Sequence, residues 1–230
     1  MTADIALDPF QGQVARVALA AAESWSFALA GGNALVAHGL LVRPTEDVDL
    51  FTTAAGGPGE AAGAVAESLR DQGFEVVTEA APDGDFVRLH VQRGVESVVV
   101  DLARDWRAHP PVRMSVGLVL HRDDAVASKV GAMVGRGLPR DFIDVAAVVP
   151  HYTRARLLQL LFERDPGLRP EDPAFAMRQL DVLEDEKFEM YGLGADDVAR
   201  LRAALEAWPR EPSSDEEARQ VHATVHSATG

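Results

Sequence analysis

Ala30-Gly31-Gly32-Asn33, followed past one short apolar segment by Thr45-Glu46-Asp47-Val48-Asp49-Leu50-Phe51, sets a glycine corner upstream of two carboxylates one residue apart. Side chains on a strand alternate with period 2, so Asp47 and Asp49 point to the same side of a sheet. Two like charges side by side are costly unless a cation neutralises them. Oxygen donors in this arrangement suit Mg2+, which takes one or two carboxylates together with substrate phosphates. Glycines, lacking a β-carbon, let a polyanion come close to bare backbone N–H groups. An Asp-x-Asp pair alone is as readily two solvated acids at a strand end, so the surrounding sequence has to carry the reading.

Upstream of the corner, Pro9 to Trp25 is Ala-rich with Val14, Val17 and Leu19, which predicts a helix, and Ser26 to Ala30 reads as a short strand. Asn33 is placed to cap a helix that stops near His38 and Gly39. Asp47 to Thr52 reads as a strand, Gly56 to Gly59 as a loop, Glu60 to Gln72 as a helix and Phe74 to Thr78 as a strand. Val87, Leu89 and Val91 alternate with Arg88, His90 and Gln92, a half-buried strand pattern. Arg93-Gly94 is a turn into Val95 to Leu102, whose Val98-Val99-Val100 is apolar enough to be central. Val116 to Leu120 is one more strand. Helices follow at Asp123–Val134, Asp141–Val149 and Thr153–Glu163, with others between Glu171 and Trp208. The expected fold class is α/β (α+β): a mixed sheet flanked by helices over 1–122, a helical C-terminal region over 123–210, and a polar, flexible tail over 211–230.

Further acids and bases fall along this frame. Asp101 ends the Val98–Val100 run and is the third carboxylate candidate, with Asp105 as a weaker alternative. Three converging carboxylates can hold metal ions for in-line phosphoryl displacement. Lys129 is one of only two lysines in the chain, the other being Lys187. Lys129, Arg136 and Arg140 are seven and four residues apart, spacings that share a helical face, although the glycines between them make one unbroken helix doubtful. Asp141 and Asp144 could orient those basic groups, or serve as first-turn acids at a helix N-terminus. The histidines are scattered; His222 and His226 have the i,i+4 spacing of a zinc pair, but in a polar tail they read as structural or incidental. Trp25, Trp106 and Trp208 are too dispersed for a base-stacking platform.

Composition narrows the classes. Hydrophobic residues make up 47% of 230, enough for one large domain or a domain with an appendage. With no cysteine there is neither a disulfide framework nor a thiolate metal site. No signal core or spanning run is apparent, so the expectation is a soluble cytoplasmic protein without a membrane partner. The net charge is -14, yet Arg88 to Arg140 holds nine Lys/Arg against five Asp/Glu, a local balance of +4. A locally basic middle in an acidic chain suits one anionic ligand at one site rather than a broad coating of nucleic acid.

Taken together, Gly31-Gly32, Asp47-x-Asp49, Ser128-Lys129 and Arg136 through Arg140-Asp141-Phe142-Ile143-Asp144 resemble the AbiEii/AbiGii-type nucleotidyltransferases, including MenT-type toxins, of the DNA polymerase beta-like superfamily. The strand, Gly-Gly, apolar helix, Arg43, Thr45 and Asp-x-Asp-Leu-Phe over 27–51 carry the first motif; the lysine helix and Arg-Asp-x-x-Asp segment carry the second. The resemblance implies a nucleotidyltransferase-type sheet and transfer of a nucleoside monophosphate from an NTP with release of pyrophosphate. It implies that Gly31 and Gly32 cradle the phosphates, and that Asp47, Asp49 and Asp101 hold Mg2+ (or Mn2+). Lys129 would contact the triphosphate together with Arg136 and Asp141, and Asp144 would complete the catalytic set. In MenT-type members the acceptor is the 3′ end of tRNA, and the setting is often a toxin paired with a protein antitoxin. This chain has Gly32 where many superfamily members have serine. Two other readings compete. A HAD-type phosphatase needs an apolar strand running into its first Asp, whereas Arg43-Pro44-Thr45-Glu46 precedes Asp47. A catalytically silent nucleotide- or protein-binding scaffold would be expected to have lost part of the set.

Overall fold

The structure is a computed structural model that describes residues 7–80 and 84–229. The chain forms two compact units, Met1–Ala125 and Val126–Gly230. The first opens with α1 (Pro9–Ala21), capped by Asp8, whose Oδ1 accepts from the backbone N–H groups of Phe10 and Gln11, each at 3.0 Å. Proline at the first helical position loses no needed donor. Next come β1 (Ala28–Leu29), α2 (Gly31–Ala37), β2 (Asp47–Thr52) and α3 (Gly57–Asp71). Then follow β3 (Glu75–Ala80), β4 (Phe86–Arg93), β5 (Glu96–Arg104), β6 (Val112–Met114) and β7 (Gly117–Val119).

These strands make one mixed seven-stranded sheet in the order β3-β4-β5-β2-β1-β7-β6. β2 runs parallel to β5 and antiparallel to β1, while β3-β4-β5 is an antiparallel meander. On β2, Val48 and Leu50 are fully buried while Asp47 and Asp49 are half-buried on the other face. Val87, Leu89, Val91, Val98, Val100 and Leu102 share the buried face, which α1 and α3 cover with Val14, Ala18, Val65 and Leu69. Each such Val or Leu contributes about 1.5–3 kcal/mol by leaving water. That apolar face fixes the register, since a one-residue slip would bury the acids instead.

The local differences from sequence expectation have local causes. The strand expected over 26–30 shortens to two residues, because Ser26 takes a left-handed φ of 53° after a 3-10 turn at Glu23–Trp25. Helix α3 starts at Gly57-Pro58, inside the expected loop, with proline in its first turn. Asn33 does not cap α2; it lies inside it, and Ala30 is the N-cap.

The second unit is helical: α4 (Arg122–Gly135, whose first turn belongs to the first unit), α5 (Pro139–Val148), α6 (Arg154–Arg164), α7 (Asp172–Val182), α8 (Glu186–Glu189), α9 (Ala195–Ala204) and α10 (Glu216–Thr229). Gly137, at φ 57°, makes the corner between α4 and α5, where a β-carbon would lie 2.6 Å from Gln179. The segment expected to be a flexible tail instead carries α10, which packs along α6 and buries Ala218 and Val225. Arg154 pairs with Asp215 and Glu217, and the Nε2 atoms of His222 and His226 lie 3.1 Å from the carbonyls of Leu168 and Pro166. A carbonyl can only accept, so both imidazoles donate there. Among the described residues, no helix is long and apolar enough to cross a membrane.

Candidate active site

The open face of the sheet gathers the three acids. Asp49 stands beside Asp101 in the β2–β5 register, and Asp47 follows on the same face. Oxygens of Asp47, Asp49 and Asp101 all lie within 4.8 Å of one another, the one such cluster among the described residues. Three carboxylates with no imidazole or thiolate form a hard donor set that fits Mg2+, and Mn2+ accepts the same ligands.

The glycine corner touches this cluster. Ala30 N–H donates to the Asp49 carbonyl at 2.8 Å, tying the end of β1 to β2. Gly31 has φ 58°, and a β-carbon there would fall 1.7 Å from Asp49 Oδ2. Only glycine lets the backbone lie against that carboxylate. At Gly32 a β-carbon would meet the Thr45 methyl at 2.7 Å, with Arg43 Nη2 3.9 Å away. The space a serine side chain needs is thus filled by Thr45, and a guanidinium lies at the corner.

Thr45 is held in turn. Its Oγ1 lies 2.7 Å from Gln11 Oε1 and 2.8 Å from Asn33 Oδ1, and its one hydrogen serves one of them. Asn33 Nδ2 donates to Gln11 Oε1 and to the Asp47 carbonyl at 2.8 Å, and Gln11 Nε2 donates to the Thr45 carbonyl at 2.7 Å. This network fixes the entry of β2 and so the aim of Asp47. His38, just past α2, donates to the Leu120 carbonyl at 2.8 Å; burial pushes its pKa down, which favours the neutral, structural form.

Asp101 has a partner that sequence reasoning missed. Arg88 on β4 meets it through two parallel bonds, Nε–Oδ1 at 2.8 Å and Nη2–Oδ2 at 2.7 Å, with its guanidinium 5.6 Å from the Phe86 ring. These bonds and the Asp101 charge raise the Arg88 pKa still further. The signal was available: with Arg93 opposite Glu96 at the hairpin turn, counting back places Arg88 opposite Asp101.

In the second unit, Lys129 on α4 is buried with its Nζ 2.9 Å from Asp144 Oδ2, a charge contact off hydrogen-bond alignment. Asp144 is fully buried. Arg136, in the link after α4, binds Asp141 through Nε at 2.9 Å and Nη2 at 2.8 Å, and Asp141 also accepts from Leu138 N–H at the start of α5. Asp141 is fully buried, so its carboxylate holds Arg136 and caps a helix rather than facing a ligand. The glycine corner thus lies against Asp49 of the acid cluster in the first unit, and in the second unit Lys129 and Arg136 each meet an acid of α5.

Comparison with known proteins puts this fold in a class. MenT4, a nucleotidyltransferase toxin from Mycobacterium tuberculosis, superposes with a TM-score of 0.60 at 18% identity over 94% of this chain and 92% of its own. JHP933 from Helicobacter pylori superposes with a TM-score of 0.53 at 16% identity over 97% of each chain. The fold is that of the nucleotidyltransferases. A search of curated proteins finds no match to the chain. The family described as nucleotidyl transferase AbiEii toxin, type IV TA system, matches residues 15–190. The chain belongs to that family of nucleotidyltransferase toxins.

Proposed function

We propose that the protein transfers a nucleoside monophosphate from an NTP to an acceptor hydroxyl, with the 3′ end of tRNA as the acceptor class, and that a separate protein antitoxin restrains it. The observation that carries the reaction is the contact of Gly31 with Asp49 within the cluster of Asp47, Asp49 and Asp101. Asp47, Asp49 and Asp101 would hold a divalent cation, Mg2+ or Mn2+, which would offset the negative charge on a transferred phosphoryl group. Gly31 and Gly32 offer the phosphates their backbone N–H groups at the end of β1, beside the Arg43 guanidinium. Lys129 and Arg136 contribute cationic charge toward the triphosphate. Asp144 and Asp141 act as positioning residues that hold those two cations.

The test is incubation of the purified protein with each labelled NTP, Mg2+ and bulk tRNA. Label is expected to enter RNA with one NTP preferred, and Asp49→Asn is expected to lower the rate by about a thousandfold or more. Undiminished incorporation in Asp49→Asn would remove the acid cluster from the chemistry. NTP binding with no transfer to any RNA or protein would favour the silent scaffold. Expression without a partner is expected to slow growth, and normal growth would count against the toxin role.

A further inference from the structure

The Arg88–Asp101 pair bears on how the acid cluster takes a cation. Three carboxylates with oxygens within 4.8 Å of one another repel strongly, and Arg88 is the cation that the first unit itself provides against Asp101. Both Asp101 oxygens accept from it in a fork-to-fork geometry, the strongest form of this contact. The carboxylate is almost completely buried, whereas the arginine side chain is 40% exposed and lies beside Phe86 at the open face. The anchored member is therefore the acid, and the guanidinium has room to withdraw. Each carboxylate oxygen has two lone-pair sites, so Asp101 can keep one arginine bond while offering another electron pair.

We infer that Arg88 is a positioning residue that acts as the built-in counter-ion of the third carboxylate, aiming Asp101 at the cluster and competing with a divalent cation for it. This rests on the metal-binding reading of Asp47, Asp49 and Asp101. Two acids, Asp47 and Asp49, then give basal affinity, and the third joins only as Arg88 loosens its grip. Arg88 thereby sets how tightly the site holds its cation, and weak holding eases departure of the cation with product. A purely structural pair would brace β4 against β5 without affecting the ion.

The test is Mn2+ binding to the whole purified protein, read from the free-ion paramagnetic signal and by calorimetry, with no nucleotide present. Arg88→Ala and Arg88→Gln are expected to bind Mn2+ about tenfold more tightly than the unaltered protein, because a nearby like charge is gone and Asp101 is released. Arg88→Lys, which keeps the charge but not the fork, is expected to fall between them. The rise in melting temperature on adding Mn2+ is expected to be larger in Arg88→Ala, whose Asp101 lacks a partner until the ion arrives. Equal or weaker Mn2+ binding in both neutral variants, with melting curves still cooperative, overturns the inference and leaves the metal site standing. No Mn2+ binding in any of the proteins, the neutral variants included, overturns both. Binding seen only in the neutral variants supports the inference in its strongest form.

Discussion

Gly32 shows how one atom shapes the site. The Thr45 methyl takes the space that a β-carbon at position 32 would need, at 2.7 Å. Thr45 also joins the hydrogen-bond network of Gln11 and Asn33 that aims Asp47. The two positions are therefore coupled: a serine at 32 demands a smaller group at 45. Gly32→Ser alone is expected to lose about 1–3 kcal/mol, the usual cost of forcing atoms into a filled space. Thr45→Ser keeps the hydroxyl, removes the methyl and is expected to be mild. The double variant should recover at least half of the loss, a coupling on the order of 1 kcal/mol in denaturant melts. If the two effects simply add, the Thr45 methyl is not what keeps serine out. Gly31 allows no such rescue, since the group in its way is the Asp49 carboxylate itself.

The elements differ in how far the sequence discloses them, and the reasons are physical. β2 was legible to the residue because Val48 and Leu50 alternate with acids that cannot share their face. β6 was missed because it spans three residues, none of them buried. α10 was hidden by its polarity: it holds its place through Ala218, Val225, two histidines bonded to carbonyls and the clamp of Arg154 on Asp215 and Glu217. Arg88 was missed although its hairpin turn was recognised, since its meaning appears only when register is counted across both strands. The spacing of Lys129 and Arg136 suggested one helical face, but α4 ends at Gly135, and each base takes an acid from α5. Those pairs make a prediction at this scale. Lys129→Met alone removes the charge that faces Asp144 Oδ2 at 2.9 Å in a buried setting and is expected to cost about 3 kcal/mol. Lys129→Met with Asp144→Asn removes both charges and is expected to cost less than the two single substitutions added together, by about 0.5–3 kcal/mol. That double variant also probes function. It should stay folded by chemical melting yet bind NTP more weakly; unchanged NTP affinity would take Lys129 out of the site.

At the scale of the whole molecule, the proposed RNA acceptor has to be captured by an acidic protein. The net charge is -14, and 88–140 carries a local balance of +4. Even there, Arg88, Arg104, Lys129 and Arg136 are committed to Asp101, Asp85, Asp144 and Asp141. Fewer cations are then left to neutralise phosphates along an RNA body, while the remainder of the chain, at a net -18, repels a polyanion. Affinity for single-stranded nucleic acid falls with log salt at a slope of about -0.7 per phosphate neutralised. An enzyme that grips about three phosphates near a 3′ end should show a slope near -2 when its tRNA affinity, read as 1/KM, is followed from low to moderate salt. Its discrimination among RNAs would then rest on the shape of the end it receives rather than on charge along the body. A slope of roughly -5 or steeper would reveal a basic face that the charge pattern does not contain, and acceptor capture by a short 3′ segment would have to be abandoned.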